Sequence, residues 1–125
     1  MYGGKDMDTP KIFESEYRFC LILWEQEPIN STQLAKICKE RLGWSKTTTY
    51  TVIRRLTDRG VIKSENATVS AVISKEEAQQ SRIDEMMEET FEGSVPAFIA
   101  AFTRNRKLSH ADAEQLRAFI RDYEE

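Results

Sequence analysis

Four threonines fall within five consecutive positions, Thr47, Thr48, Thr49 and Thr51, with Tyr50 among them and Lys46, Arg54 and Arg55 around them. A threonine hydroxyl can hydrogen-bond a base edge or a phosphate, and its methyl can touch the thymine methyl. Threonine is a mediocre helix former, so local stability does not explain the run. Ser45, immediately before it, predicts an N-cap whose hydroxyl meets the free N–H groups of a first helical turn. On that helix Thr49, Ile53 and Leu56 fall at i, i+4 and i+7 and face inward. Lys46, Thr47, Thr48, Tyr50, Thr51, Arg54, Arg55 and Asp58 face outward. A helix fits the DNA major groove, and its N-terminal N–H groups can hold a phosphate. The plainer reading of the same residues is an amphipathic helix with a solvated polar face.

Charge points the same way. Residues 36–63 hold Lys36, Lys39, Arg41, Lys46, Arg54, Arg55, Arg59 and Lys63 against only Glu40 and Asp58, a local net charge of +6 in a chain of net charge -3. Such a patch is the footprint of a polyanion binder. Residues 76–125 carry a net charge of -6. They would repel nucleic acid and are expected to serve another purpose.

The elements that position the basic stretch can be read from apolar spacing and caps. From Phe13 the pattern is helical, with Tyr17, Cys20, Leu21 and Trp24 on one face. Pro28 ends that helix, and Ile29 is placed in a short strand. Asn30-x-x-Gln33 reads as a capping box opening a second helix with Leu34, Ile37, Cys38 and Leu42 inward. Gly43 closes it, and the third helix follows after a two-residue turn and runs to Gly60. Val61, Ile62 and residues 69–73 predict a hairpin around Glu65-Asn66-Ala67. Two helices joined by a tight turn and followed by a hairpin make a winged helix-turn-helix. Ser74-x-x-Glu77 is a second capping box and starts a helix to about Phe91. Helices over residues 95–106 and from Ser109 onward complete the chain.

The fold expected is mainly α: a flexible arm over residues 1–11, a winged-helix DNA-binding domain over 12–75 and an all-helical dimerisation domain over 76–125. Three short helices are too small to bury Ile83, Met87, Phe91, Val95, Phe98, Ile99, Phe102, Leu116, Phe119, Ile120 and Tyr123 by themselves. A second copy would cover them, and a two-fold dimer suits a palindromic site. The alternative is that these helices fold back on their own winged helix.

Other chemistry has little support. His110 is the only histidine and sits beside a helix cap, and no nucleophile–base pair or phosphate-binding glycine loop stands out. Cys20 and Cys38 fall on inward helix faces, so buried, reduced thiols in a cytoplasmic protein are expected, with no metal site and no cofactor. No uninterrupted apolar run exceeds the six residues of 19–24, far short of the roughly 20 that span a bilayer.

Leu34-Ala35, then the stretch from Leu42-Gly43-Trp44-Ser45 through Thr48 to Arg55-Leu56-Thr57-Asp58-Arg59-Gly60-Val61-Ile62, resembles the penicillinase-repressor (BlaI/MecI) family. The first helix, with Glu16 near its start and Leu23-Trp24 at its end, is similar too. So are the closing helices through Val95-Pro96 and residues 116–123. The resemblance spans about residues 11–123. It implies a homodimeric repressor that places its third helix in each half of a double-stranded DNA operator. Carried over by position, Ser45, Thr47, Thr48, Tyr50 and Arg55 would contact DNA. Ser45, Thr48 and Arg55 keep the family's residue, whereas Thr47 and Tyr50 stand where basic residues are usual, which implies a different operator or a lower affinity. The hairpin is shorter than the family's and holds one basic residue, Lys63. The resemblance also implies a membrane sensor-protease system that cuts the middle helix of the dimer domain before a Phe, here the Ala101–Phe102 bond, although an Asn usually precedes that Phe. Copper-responsive relatives carry a C-terminal Cys-x-Cys pair, which Arg121-Asp122-Tyr123-Glu124-Glu125 does not match. The competing class is a winged-helix module that binds protein and not DNA.

Overall fold

The computed structural model describes residues 9–124. The order is α1 (Glu14–Gln26), β1 (Ile29–Asn30), α2 (Ser31–Leu42), α3 (Lys46–Asp58), β2 (Ile62–Glu65), β3 (Thr68–Ala71), α4 (Lys75–Phe91), α5 (Val95–Thr103) and α6 (His110–Tyr123). This is a winged helix followed by a helical tail. The chain divides into two compact units, and the division falls inside α4, between Glu85 and Met86.

In the first unit each helix starts and stops on a local chemical signal. Asn30 Oδ1 accepts the Thr32 N–H at 2.8 Å at the head of α2. The Gln33 half of the expected capping box does not form among the described residues. The neighbouring Ser31 N–H donates to the Ala67 carbonyl at the tip of the hairpin, at 2.8 Å. Gly43 ends α2 in the left-handed region at φ 72°, and its N–H donates to the Lys39 carbonyl. Glycine adopts that conformation without a Cβ clash.

The sheet is antiparallel in the order β1-β3-β2, with Ile29 opposite Val69 and Lys63 opposite Ser70. The hairpin turn is the two residues Asn66 and Ala67, both at positive φ, with Glu65 already in β2. Two consecutive positive φ values match the twist of the strands they join.

The core is one cluster: Phe19, Cys20, Ile22 and Leu23 of α1, Leu34 and Cys38 of α2, Val52, Ile53 and Leu56 of α3, and Ile29, Val61, Ile62 and Val69 around the sheet. Burial of a side chain the size of Leu or Phe stabilises by about 1.5–3 kcal/mol. The face expected for α1 needs correcting, because Leu21 is exposed while Phe19, Ile22 and Leu23 are buried. Tyr17 and Trp24 flank that face, half-buried. Trp24 is held there because its Nε1–H donates to the Ile73 carbonyl at 3.0 Å.

The expected arm is outside the described residues over 1–8. Residues 9–11 are neither helix nor strand, but Lys11 is held. Its Nζ pairs with Glu85 at 2.7 Å, and its carbonyl accepts from Arg59 at 2.8 Å.

The capping box at the head of α4 forms in full: the Ser74 N–H donates to Glu77 Oε1, and the Glu77 N–H donates to Ser74 Oγ. In the second unit, Glu92 and Gly93 at positive φ end α4, and the Gly93 N–H donates to the Met87 carbonyl at 2.8 Å. α5 stops at Thr103, short of the expected 106. The Thr103 hydroxyl donates back to the Ile99 carbonyl at 2.8 Å, and the polar Arg104-Asn105-Arg106 that follows has no apolar face to bury. Ser109 caps α6 by accepting the Asp112 N–H at 3.0 Å. No residue of α5 or α6 is fully buried in the single chain.

Candidate nucleic-acid interface

The head of α3 is set by Ser45. Its Oγ accepts the Thr48 N–H at 3.1 Å and donates to Thr48 Oγ1 at 3.0 Å. Thr48 Oγ1 thereby accepts from Ser45, and its own proton is left to point outward as a donor. The backbone N–H groups of Lys46 and Thr47 make no hydrogen bond among the described residues. Together they form a donor cluster at the positive end of a helix, suited to a phosphate or a base acceptor.

Further along, Thr47, Thr51 and Arg54 fall at i, i+4 and i+7, and Thr48, Thr51 and Arg55 at i, i+3 and i+7. These two rows share the solvent side of α3. Thr47, Thr48, Arg54 and Arg55 are exposed, and Thr51 is half-buried. Thr49 alone among the threonines is fully buried, facing the core with Val52, Ile53 and Leu56. Tyr50 is half-buried against the core with the Lys46 ammonium 5.7 Å from its ring centre, so only part of it is presented outward.

The structure sorts the eight cations of the basic stretch. Arg41 pairs with Glu25 at 2.9 Å and Arg59 pairs with Glu16. The Glu25 carboxyl is held below its usual range by hydrogen bonds from Gln26 and Arg41 and by the Arg41 charge. Lys36, Lys39, Lys46, Arg54, Arg55 and Lys63 have no carboxylate partner among the described residues. Lys63 stands exposed on β2, the one cation of the wing.

Two of these six, Lys36 and Lys39, add to the candidate interface beyond the α3 residues that the sequence spacing marks. They lie on the solvent side of α2, and with Lys46 they line a cleft between α2 and the head of α3, beside Trp44 and Ser45. Their i, i+3 spacing and the Gly43 turn that folds α2 onto α3 were the available signal.

Both thiols are buried and neutral. Burial and the nearby Glu16 charge push Cys20 up to about 12, against the Arg59 charge. Burial also pushes Cys38 up, opposed by the Thr49 hydroxyl and by Arg41. No group of His, Cys, Asp and Glu among the described residues could hold a metal ion. No helix among them is long and apolar enough to cross a membrane.

The apolar residues expected to pair two chains are distributed unevenly. Phe119, Ile120 and Tyr123 on α6 are 58%, 63% and 81% exposed, and Val95 and Phe102 on α5 are also exposed. Phe91, Phe98, Ile99 and Leu116 are half-buried, with Phe98 edge-on to Phe91 at 5.6 Å. Ile83 is exposed but belongs to the first unit. Met87 is already buried, while its neighbour Met86 is exposed. The Ala101–Phe102 bond lies in the last turn of α5, and Phe102 lines an apolar cleft with Phe98, Ile99, Thr103, Leu108 and Leu116.

Comparison with known proteins places this arrangement. The model of a family described as penicillinase repressor matches residues 12–122. A protein of Latilactobacillus sakei, described as an uncharacterized 16.5 kDa protein in the ptsI 3' region, is 25% identical over 117 residues, covering 90% of this chain and 80% of that protein.

Proposed function

The chain belongs to the penicillinase repressor family of DNA-binding transcriptional regulators, and from that premise we propose that it is a homodimeric repressor reading a palindromic operator through α3. The carrying observation is the outer face of α3, where Thr47, Thr48, Arg54 and Arg55 stand exposed with no carboxylate partner among the described residues. Thr48 and Thr47 enter the major groove first, with Ser45 fixing the Thr48 hydroxyl. Arg54, Arg55, Lys46 and the α2 lysines take phosphates on either side, Thr51 and part of Tyr50 lie against the groove wall, and Lys63 is the wing's single contact.

Residues 12–75 carry the DNA reading and residues 76–125 the pairing. A second copy covers Val95, Phe102, Phe119, Ile120 and Tyr123, because so many large apolar side chains left exposed on two short helices favour association. Repression is relieved by proteolysis at Ala101–Phe102 through a membrane sensor-protease system. The cut separates Phe98 from Phe102, whose rings lie 6.1 Å apart, and so splits the apolar surface that α5 and α6 share.

Sedimentation of the full chain, alone and with a genomic duplex that it captures, tests this reading. A dimer that binds as two chains per duplex supports it. A monomer at micromolar concentration, or a chain that captures no duplex, rejects it.

A further inference from the structure

We propose that Glu16 and Arg59 are a positioning pair for the DNA-reading helix, and that Arg59, although cationic and next to the interface, takes no phosphate. The inference rests on the reading of α3 given above. Arg59 is the C-cap of α3. Its guanidinium donates from Nη2 to Glu16 Oε2 and from Nη1 to the Lys11 carbonyl at 2.8 Å, and lies 5.3 Å from the centre of the Phe13 ring. Glu16 is only 5% exposed, and its other oxygen accepts the Phe13 N–H at 2.9 Å at the head of α1. The planar fork of Arg59 therefore joins three pieces of chain at one point: the end of α3, the start of α1 and the segment before it.

The junction continues away from α3. Lys11 Nζ pairs with Glu85 at 2.7 Å, and the Arg82 guanidinium lies 3.9 Å from the centre of the Tyr17 ring while donating to Glu14. Residues 11–17 thus tie the end of α3 to α4 at Arg82 and Glu85. Were Arg59 drawn to a phosphate, Glu16 would be left as a buried, uncompensated charge, which is strongly unfavourable. The pair holds, and the angle of α3 is set by α1.

The test uses the full chain and two probes: a duplex enriched from random-sequence DNA by the wild-type protein, and an unrelated duplex. Glu16→Gln combined with Arg59→Met removes the pair without stranding a charge. Arg59→Lys keeps the charge but not the fork, since an ammonium cannot reproduce the planar two-acceptor geometry. In the double variant the ratio of specific to non-specific affinity falls about tenfold, comparable to losing one base pair of discrimination. In Arg59→Lys the ratio falls less. In both, the dependence of log affinity on log salt keeps the wild-type slope, because no phosphate contact is lost. A slope reduced by about one unit in the double variant would make Arg59 a phosphate contact and overturn the proposal. An unchanged ratio in the variants that fold would reduce the pair to a purely structural one and overturn it equally. If the double variant does not fold, Glu16→Gln with Arg59→Gln replaces it for the slope, and Arg59→Lys still decides on the ratio. A wild-type chain that enriches no duplex defeats the DNA reading, and the pair's role goes with it.

Discussion

The Ser45 hydroxyl both accepts the backbone N–H of Thr48 and donates to the Thr48 hydroxyl, at 3.1 and 3.0 Å. One side chain thus caps α3 and fixes the rotamer of the residue best placed to read a base. Capping and recognition are coupled at this point, so Ser45→Ala should cost about 1 kcal/mol of fold stability and also loosen Thr48.

Thr48→Val keeps the shape of that side chain and removes its hydroxyl. Discrimination at one position of the operator should relax by about 1–3 kcal/mol, with other positions unaffected. Arg55→Ala should instead weaken binding to every duplex and lower the salt slope by about one. Gel shifts over a salt series distinguish the two, and a Thr48→Val variant with wild-type base preference throughout would remove Thr48 from the interface.

Ala67 occupies the second position of the hairpin turn at φ 64°, a conformation that an L side chain adopts at a cost. Ala67→Gly should stabilise the fold by roughly 0.5–1 kcal/mol after the extra freedom of the unfolded glycine is subtracted. The rise appears in a urea melt, and a loss of stability would contradict the turn geometry.

Cys20 supplies a pH dependence. Its thiol is pushed from 9.0 to about 12 by burial and by Glu16, so it stays protonated in the fold while the unfolded chain ionises above 9.0. Its contribution is whole below that value and is lost as the pH climbs from about 9 toward about 12. Urea melts at about pH 7.5 and about pH 10.5 should show a larger loss for the wild type than for Cys20→Ala. Equal losses would mean that Cys20 carries no part of the pH dependence. At neutral pH both thiols should resist alkylation until the chain unfolds.

Ile120→Lys places a charge in the most exposed apolar stretch of α6. Dimer dissociation should rise at least tenfold, as expected from losing about 1.5–3 kcal/mol of apolar burial per chain. Analytical ultracentrifugation reads this directly, and an unchanged dimer would move the interface elsewhere.

Much of this was legible in the sequence because the signals were local. Gly43, Ser45, Gly60, Ser109 and the Ser74–Glu77 box each mark an element end through chemistry confined to a few residues. The inner face of α1 was not legible. Residues 19–24 are all apolar, so periodicity could not choose between Leu21 and its neighbours, and tertiary packing made the choice. The Gln33 half of the capping box was not foreseeable as absent, since Asn30 is also a strand residue opposite Thr68, and the adjoining Ser31 N–H goes to the hairpin tip, a contact between residues 36 positions apart. Within the candidate site, the α3 residues followed from spacing, whereas the separation of paired from unpaired cations did not. Arg59 and Glu16 lie 43 positions apart, and no spacing rule joins them.

Two copies of α3 are expected to read an inverted repeat. Selection of duplexes from a random-sequence pool by the full-length chain, followed by sequencing, tests it most directly. The expected result is an inverted repeat with half-site centres about one helical turn, or a multiple of it, apart, and loss of that enrichment in Thr48→Val combined with Arg55→Ala. A pool that stays random, or one that yields the same motif with the combined variant, would contradict it.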